Sequence, residues 1–266
     1  MSFNGSVIVI TGASDGIGAE LARQLSSEHP KLVLAARRLD VLQAVADQCS
    51  ARGATTLVVP TDVSIEADCR ALITATVEKF GRIDMLVNNA GVSMHANFDE
   101  ITDTSVYENL MRINLMGSIW PTHAALPYLK TSKGLVVAVA SLAGLVGVPG
   151  RTTYCATKFA QTGFFEALRV ELQSEGVDVC IVYPGVVATD IRRNGWNAKG
   201  ETAGTSGLSE SNAMSVEECA GLIVSAMRSR KREEVMSAKG KLGRWMKLIA
   251  PAKVDAMARA ALTNEH

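Results

Sequence analysis

Six short, continuously apolar runs are spaced along the chain, with helical periodicity between them. They occupy residues 6–10, 31–36, 56–60, 85–88, 134–140 and 177–183. Strands buried on both faces, as in a parallel sheet, read in this unbroken way rather than as an alternation. Between them the apolar positions recur at a spacing near 3.6. Leu39, Leu42, Val45, Ala46 and Cys49 share one helical face that Gly53 ends. Helices are likewise predicted at 19–26, at 67–80 with Gly81 as terminator, at 106–120 and at 159–175, the last with Phe164, Leu168 and Leu172 on one side. Ser215 opens another helix, with Glu218 three residues on as its capping box.

Two later stretches break the pattern. Residues 191–215 lose periodicity and carry Gly195, Gly200, Gly204 and Gly207, which predicts a long mobile lid with Ile191 and Trp196 laid on a hydrophobic substrate. In the tail, about 238–266, Leu242, Trp245, Met246, Leu248 and Ile249 interleave with Lys241, Arg244 and Lys247 until Pro251 interrupts. Such a basic amphipathic segment packs over the pocket or on a second subunit, which is the first expectation. Peripheral contact with an anionic membrane is the second.

Composition narrows the class. With 27 basic and 27 acidic residues the 266-residue chain has no net charge, which argues against a nucleic-acid binder. Hydrophobic residues at 47% and charged residues at 20% describe a globular core. The five cysteines are scattered, odd in number and without C-x-x-C spacing, so reduced thiols and no metal site are expected. No leader and no membrane-length apolar run is seen, and the expectation is a cytoplasmic protein, membrane-associated at most through its tail.

The chemistry sits where strands end. After the first strand comes Thr11-Gly12-Ala13-Ser14-Asp15-Gly16-Ile17-Gly18, then a helix. Glycines let backbone N–H groups approach a ligand, and the helix N-terminus favours a pyrophosphate. The second strand runs into Arg37-Arg38 with no acid before Asp40. An acid there would bind the ribose hydroxyls of NAD, whereas a guanidinium suits the 2′-phosphate of NADP. NADP(H) is therefore expected, with Ser14 as a further donor and NAD(H) as the alternative. Asp62-Val63, at the end of the third strand, either meets the adenine or caps the next helix. Asn88-Asn89-Ala90-Gly91 ends the fourth strand over the ligand crevice.

Ser141 ends the fifth strand, thirteen residues before Tyr154. Tyr154 and Lys158 are four apart, on one helical face. A free phenol titrates near ~10, and a neighbouring ammonium is expected to lower that value toward neutrality. Ser141 can hold a carbonyl oxygen beside the phenol. It is no hydrolase nucleophile, because G-x-S-x-G and a suitably placed His are lacking.

Thr11-Gly12-x-x-x-Gly16-x-Gly18, Asn88-Asn89-Ala90-Gly91 and Tyr154-x-x-x-Lys158, in this order, resemble the classical short-chain dehydrogenase/reductase family. The resemblance covers about residues 3–189. It implies an α/β fold: a single doubly wound Rossmann-type domain over residues 1–266, with a mostly parallel sheet of about seven strands flanked by helices. It implies hydride transfer between a nicotinamide and a carbonyl or secondary alcohol. Ser141, Tyr154 and Lys158 would be catalytic, with Asn114 completing a proton relay. Lys158 would also hold the nicotinamide ribose. Pro184, Gly185, Val187 and Thr189 would face the cofactor, together with Gly12, Asp15, Ile17, Asn89, Ala90 and Gly91. The family further implies a homodimer or homotetramer, and the tail leans the substrate toward a lipophilic carbonyl. The competing expectations are an NAD-linked dehydrogenase and a non-catalytic nucleotide sensor.

Overall fold

The computed structural model describes residues 2–206 and 213–260. The middle of the expected lid, with Gly207, and the last residues of the tail lie outside the described residues. Seven strands form one parallel sheet in the order β3-β2-β1-β4-β5-β6-β7. They are β1 (Val7–Thr11), β2 (Lys31–Ala36), β3 (Thr55–Pro60), β4 (Met85–Asn88), β5 (Leu135–Val139), β6 (Asp178–Tyr183) and β7 (Glu233–Val235). The order reverses at β1, which pairs with β2 through Val7↔Lys31 and with β4 through Ile8↔Met85. Ligand crevices of doubly wound sheets open at that reversal, beyond the carboxyl ends of the strands.

The continuous apolar runs are explained by two cores, one on each face. Ile8, Ile10, Leu32, Leu34 and Val137 point to one side. There they meet α1 (Gly16–Ser26), α2 (Leu39–Ala51) and α7 (Val216–Arg228). Val7, Val9, Val33, Leu86 and Val136 point to the other. That side is covered by α3 (Glu66–Phe80), α5 (Gly117–Ser132) and α6 (Thr152–Leu172). Both faces of the central strands are therefore covered, and their interior positions read as unbroken apolar runs.

The structure corrects several expected elements. The helix predicted at 106–120 is α4 (Ser105–Met111), a π-turn over Arg112–Met116, and then α5, which reaches Ser132. Helix α6 runs from Thr152 to Leu172, so Tyr154 and Lys158 lie in its first two turns, on a helix as their spacing predicts. The third strand's successor, α3, takes Ile65 as its N-cap without a side-chain bond, so Asp62 does not cap it. Asp62 Oδ1 instead accepts from the Ser64 N–H and hydroxyl. The seventh strand that the resemblance implies is β7, whose place the apolar pattern does not mark: two of its three residues are Glu. A short charged edge strand also discourages further pairing.

The tail forms α8 (Ala238–Ile249) and α9 (Pro251–Ala260), with Pro251 starting the second helix. Its apolar side is not packed within the chain, so it does not cover the pocket: Leu248 is 77% exposed and Ile249 82%. The basic side holds α8 down instead. Arg244 pairs with Glu233, and Lys247 donates to the Leu145 carbonyl and lies over the Phe159 ring at 4.6 Å. Among the described residues no helix is long and apolar enough to cross a membrane.

Candidate active site

The Gly-rich turn is shaped by contacts that leave no room for side chains. Gly12 has φ +65, and a Cβ there would lie 2.8 Å from Ala90 Cα. At Gly18 a Cβ would lie 2.3 Å from the Gly12 carbonyl oxygen. Asp15 caps α1, its Oδ1 accepting from the Gly16 N–H at 2.6 Å. The fourth strand's end locks this turn in place. Asn89 Nδ2 donates to the carbonyls of Thr11 and Gly12 at 3.0 and 3.1 Å. Thr11 Oγ1 accepts from the N–H groups of Asn89 and Ala90. The Asn89 side chain is thus spent on the protein, and it is the exposed backbone of the turn that faces the crevice.

Thr189, after β6, closes on the same turn: a Cβ at Gly16 would lie 3.2 Å from its Cγ2. A cavity of about 420 Å³ opens here, lined by Asp15, Gly16, Thr189, Asp190 and Arg193 among others. Val187 and Pro184 point backbone carbonyls inward, the first accepting from Arg192 and the second from the Leu142 N–H. At the end of β2, Arg37 and Arg38 are exposed. Arg38 Nη2 stands 3.8 Å from Asp15 Oδ2. Val63 is buried against Gly117. A glycine-rich strand-end turn, the N-terminus of a three-turn helix and two exposed guanidinium groups fit a dinucleotide.

Across the crevice lie the four residues expected to act. Tyr154 is 9% exposed, within a cluster of Met94, Ala96, Val106, Leu110, Ala143 and Cys155. Lys158 is 4% exposed on the next turn, its Nζ 5.8 Å from the centre of the Tyr154 ring. Ser141 caps the short turn after β5, where its Oγ accepts from the Ala143 N–H. It also faces the phenol as a hydrogen-bond partner. Asn114 sits in the π-turn, a helix distortion common at functional positions. Its side chain exchanges two hydrogen bonds with the Val92 backbone at 2.8 and 3.0 Å and donates to Thr157 Oγ1 at 3.1 Å. Its carbonyl accepts from Ser118 Oγ.

The electrostatics differ from the expectation. Burial pushes the Tyr154 phenol above its ordinary value; the Ser141 hydrogen bond, then Arg151 and Arg192, oppose that rise. Lys158 Nζ donates to the Val139 carbonyl at 3.0 Å and to Gln161 Oε1 at 2.9 Å. Burial brings it down to about 7, because a low-dielectric site disfavours the ammonium. Gln161 in turn donates to Ser118 Oγ at 3.1 Å, joining Lys158 to the π-turn.

Arg151, Gln161 and Ser118 were missed in the sequence. For Gln161 a signal existed, since it stands three residues after Lys158 on one helix. Arg151 had none, because its burial depends on Ser93 and Ser206, distant in the chain. The stretch expected to be a structureless lid is hydrogen-bonded over 191–206. Trp196 donates to the Ser93 carbonyl and accepts from the His95 N–H.

A family model described as short chain dehydrogenase matches residues 6–200. An Arabidopsis thaliana protein named 11-beta-hydroxysteroid dehydrogenase-like 4A is 44% identical over 185 residues, 69% of this chain. That match spans 62% of the Arabidopsis protein's length. A Dictyostelium discoideum protein named dehydrogenase/reductase SDR family protein 7-like is 33% identical over 96% of this chain and 81% of its own. A crystal structure of a short chain dehydrogenase/reductase from Burkholderia phymatum in complex with NAD superposes with TM-score 0.81. It is 26% identical and covers 94% of this chain and 96% of that one. An alcohol dehydrogenase from the archaeon Thermococcus sibiricus, complexed with 5-hydroxy-NADP, gives TM-score 0.77 at 25% identity, over 88% and 95% of the two chains.

Proposed function

The chain belongs to the short-chain dehydrogenase family, and from that premise we propose that it is an NADP(H)-dependent oxidoreductase acting on a lipophilic carbonyl or secondary alcohol. The observation that carries this reading is the meeting of Ser141, Tyr154 and Lys158 at the carboxyl rim of the sheet, beside the Gly-rich turn.

A bound nicotinamide supplies or accepts the hydride. The residues of this chain manage the proton. In the reducing direction Tyr154 gives its phenolic proton to the oxygen that Ser141 holds; in the oxidising direction it takes that proton back. Lys158, buried and anchored to Val139 and Gln161, is placed one turn below the phenol to hold ribose hydroxyls. The cluster of Met94, Val106, Leu110 and Trp196 around Tyr154 keeps water from the reacting oxygen and suits an apolar substrate. Asn114 braces the loop after β4 against α6 through Val92 and Thr157.

Arg37 and Arg38 support NADP(H). The second reading, NAD(H), is favoured by one observation: Asp15 faces Arg38 and offsets part of its charge. Homo-oligomerisation and peripheral membrane contact through α8 belong to the same proposal, the latter supported by its outward apolar side.

The test is reduced-nicotinamide absorbance with NADPH and NADH against a panel of steroid ketones, quinones and acetophenone, and of the matching alcohols. Turnover that Tyr154→Phe abolishes, with NADP+ binding retained, is the expected result. Nucleotide binding without turnover on the whole panel would make the protein a nucleotide sensor instead.

A further inference from the structure

Arg151 is a buried cation that meets no acid among the described residues. It is 4% exposed and forms the turn that opens α6, three residues before Tyr154. Its Nη1 donates to Ser93 Oγ at 2.7 Å and its Nη2 to the Ser206 carbonyl at 3.1 Å, both neutral acceptors. Its Nε is buried without an acceptor. The titratable groups that act on it are Tyr154, Arg192 and Cys155, and none of them is a carboxylate.

Such an arrangement is costly twice over. A buried charge without its opposite loses several kcal/mol even after relaxation. A cation at a helix N-terminus also opposes the partial positive charge of the helix. Both penalties fall on the helix that carries Tyr154. An anion one helical turn away would relieve them, and the side chain at that place is a phenol.

We propose that Arg151 is a positioning residue for proton transfer: its charge stabilises the ionised form of Tyr154 from the N-terminal side of the helix, in addition to Lys158. The inference rests on Tyr154 being the proton-transfer group. The other groups facing the phenol are few. Cys155 and Lys158 come from its own helix, Ser141 from the end of β5 and Arg192 from the segment after β6. Burial pushes the Cys155 thiol up, so it stays neutral. Arg192 carries the same sign as Arg151 and acts in the same direction. His95 packs beside Gly150, where a Cβ would lie 3.1 Å from its Cε1.

The experiment is the pH profile of kcat/KM for alcohol oxidation by the full chain with NADP+. The probe is 1-phenylethanol or whichever steroid alcohol of the panel turns over faster. In Arg151→Gln the acid limb is expected to move up by a pH unit or more. Activity near neutrality then falls about tenfold or more and recovers in alkali. Arg151→Lys keeps the limb near its original place. Arg151→Met fills the volume of the stem and makes the same comparison should Gln not fold. Ultraviolet difference titration of the tyrosinate band in the NADP+ complex reads the shift without turnover. An unmoved limb, or an equal loss at every pH, overturns the proposal and leaves Arg151 a lid tether. A rise in KM alone overturns it in favour of contact with an anionic substrate. Turnover surviving in Tyr154→Phe would instead remove the reading beneath it, which keeps the two failures apart.

Discussion

Replacing Lys158 with Met tests whether the buried ammonium is as destabilised as its surroundings imply. Burial brings Lys158 from an ordinary 10.5 down to about 7. Between those values the unfolded chain holds a proton that the folded chain has released. Folding stability therefore rises with pH across this window: the contribution is complete above 10.5 and is lost as pH falls through about 7. Each unit of pH contributes about 1.4 kcal/mol, so the whole window spans about 4–5 kcal/mol. The two hydrogen bonds to Val139 and Gln161 offset much of the penalty near neutrality, each worth about 1.5–3 kcal/mol for a charged donor. Met keeps the volume, removes the titration and strands both acceptors. At pH 7 the variant is accordingly expected within about 2 kcal/mol of the original, because the lost penalty and the lost bonds nearly cancel. The decisive quantity is the difference in stability between the two proteins as pH rises. Urea unfolding at pH 6.5, 8 and 9.5, without nucleotide, should show the original gaining on Lys158→Met by about 3 kcal/mol or more. Parallel stabilities across that range would mean that Lys158 keeps its proton throughout, and the account of its burial would be wrong.

Three further outcomes follow from contacts at the rim. Gly18→Ala drives a Cβ to 2.3 Å from the Gly12 oxygen and 2.5 Å from Asn89 Nδ2. It should cost about 1–3 kcal/mol and weaken NADP+ binding at least tenfold in calorimetric titration; unchanged affinity would move the dinucleotide away from this turn. Arg37→Asp should shift the ratio of kcat/KM from NADPH toward NADH, and an unaltered ratio would mean that the Arg pair does not read the 2′-phosphate. Asn114→Ala loses bonds to Val92 and Thr157 and should lower stability by about 2–4 kcal/mol in urea; a change under ~0.5 kcal/mol would show that the π-turn holds without it.

The fold was largely legible because its strands are buried on both faces. An unbroken run such as Val7-Ile8-Val9-Ile10 has no other economical reading beside a Gly-rich turn and a helix. Strand β7 escaped because it is an edge: Glu233 and Glu234 pair through their backbones with β6 while their side chains meet Arg244 and Lys231. The site was legible as a set of positions but not as a set of charges. Tyr154 and Lys158 share a helix face, as the spacing required. Their pKa values depend instead on burial and, for the phenol, on Ser141, Arg151 and Arg192, brought beside it by the fold. No local pattern encodes those. The tail shows the same limit. Its amphipathicity was visible, but which side faces the protein was decided by Glu233, Phe159 and the Leu145 carbonyl.

Two observations at the rim bear on one another. Where β1 and β5 end near the crevice, the hydroxyls are satisfied by neighbours: Thr11 by Asn89 and Ala90, Ser141 by Ala143. On α6, Arg151 and Lys158 flank Tyr154 within two turns, and both are pressed toward their neutral forms by burial. Two buried cations whose described hydrogen-bond partners are all neutral favour whichever neighbour can become negative. That neighbour is a phenol, which carries no charge until it gives up a proton. Stability is thus lowered along the one element where a transient negative charge is wanted. The two cores on either face of the sheet, dry and apolar throughout, hold the fold against that local cost.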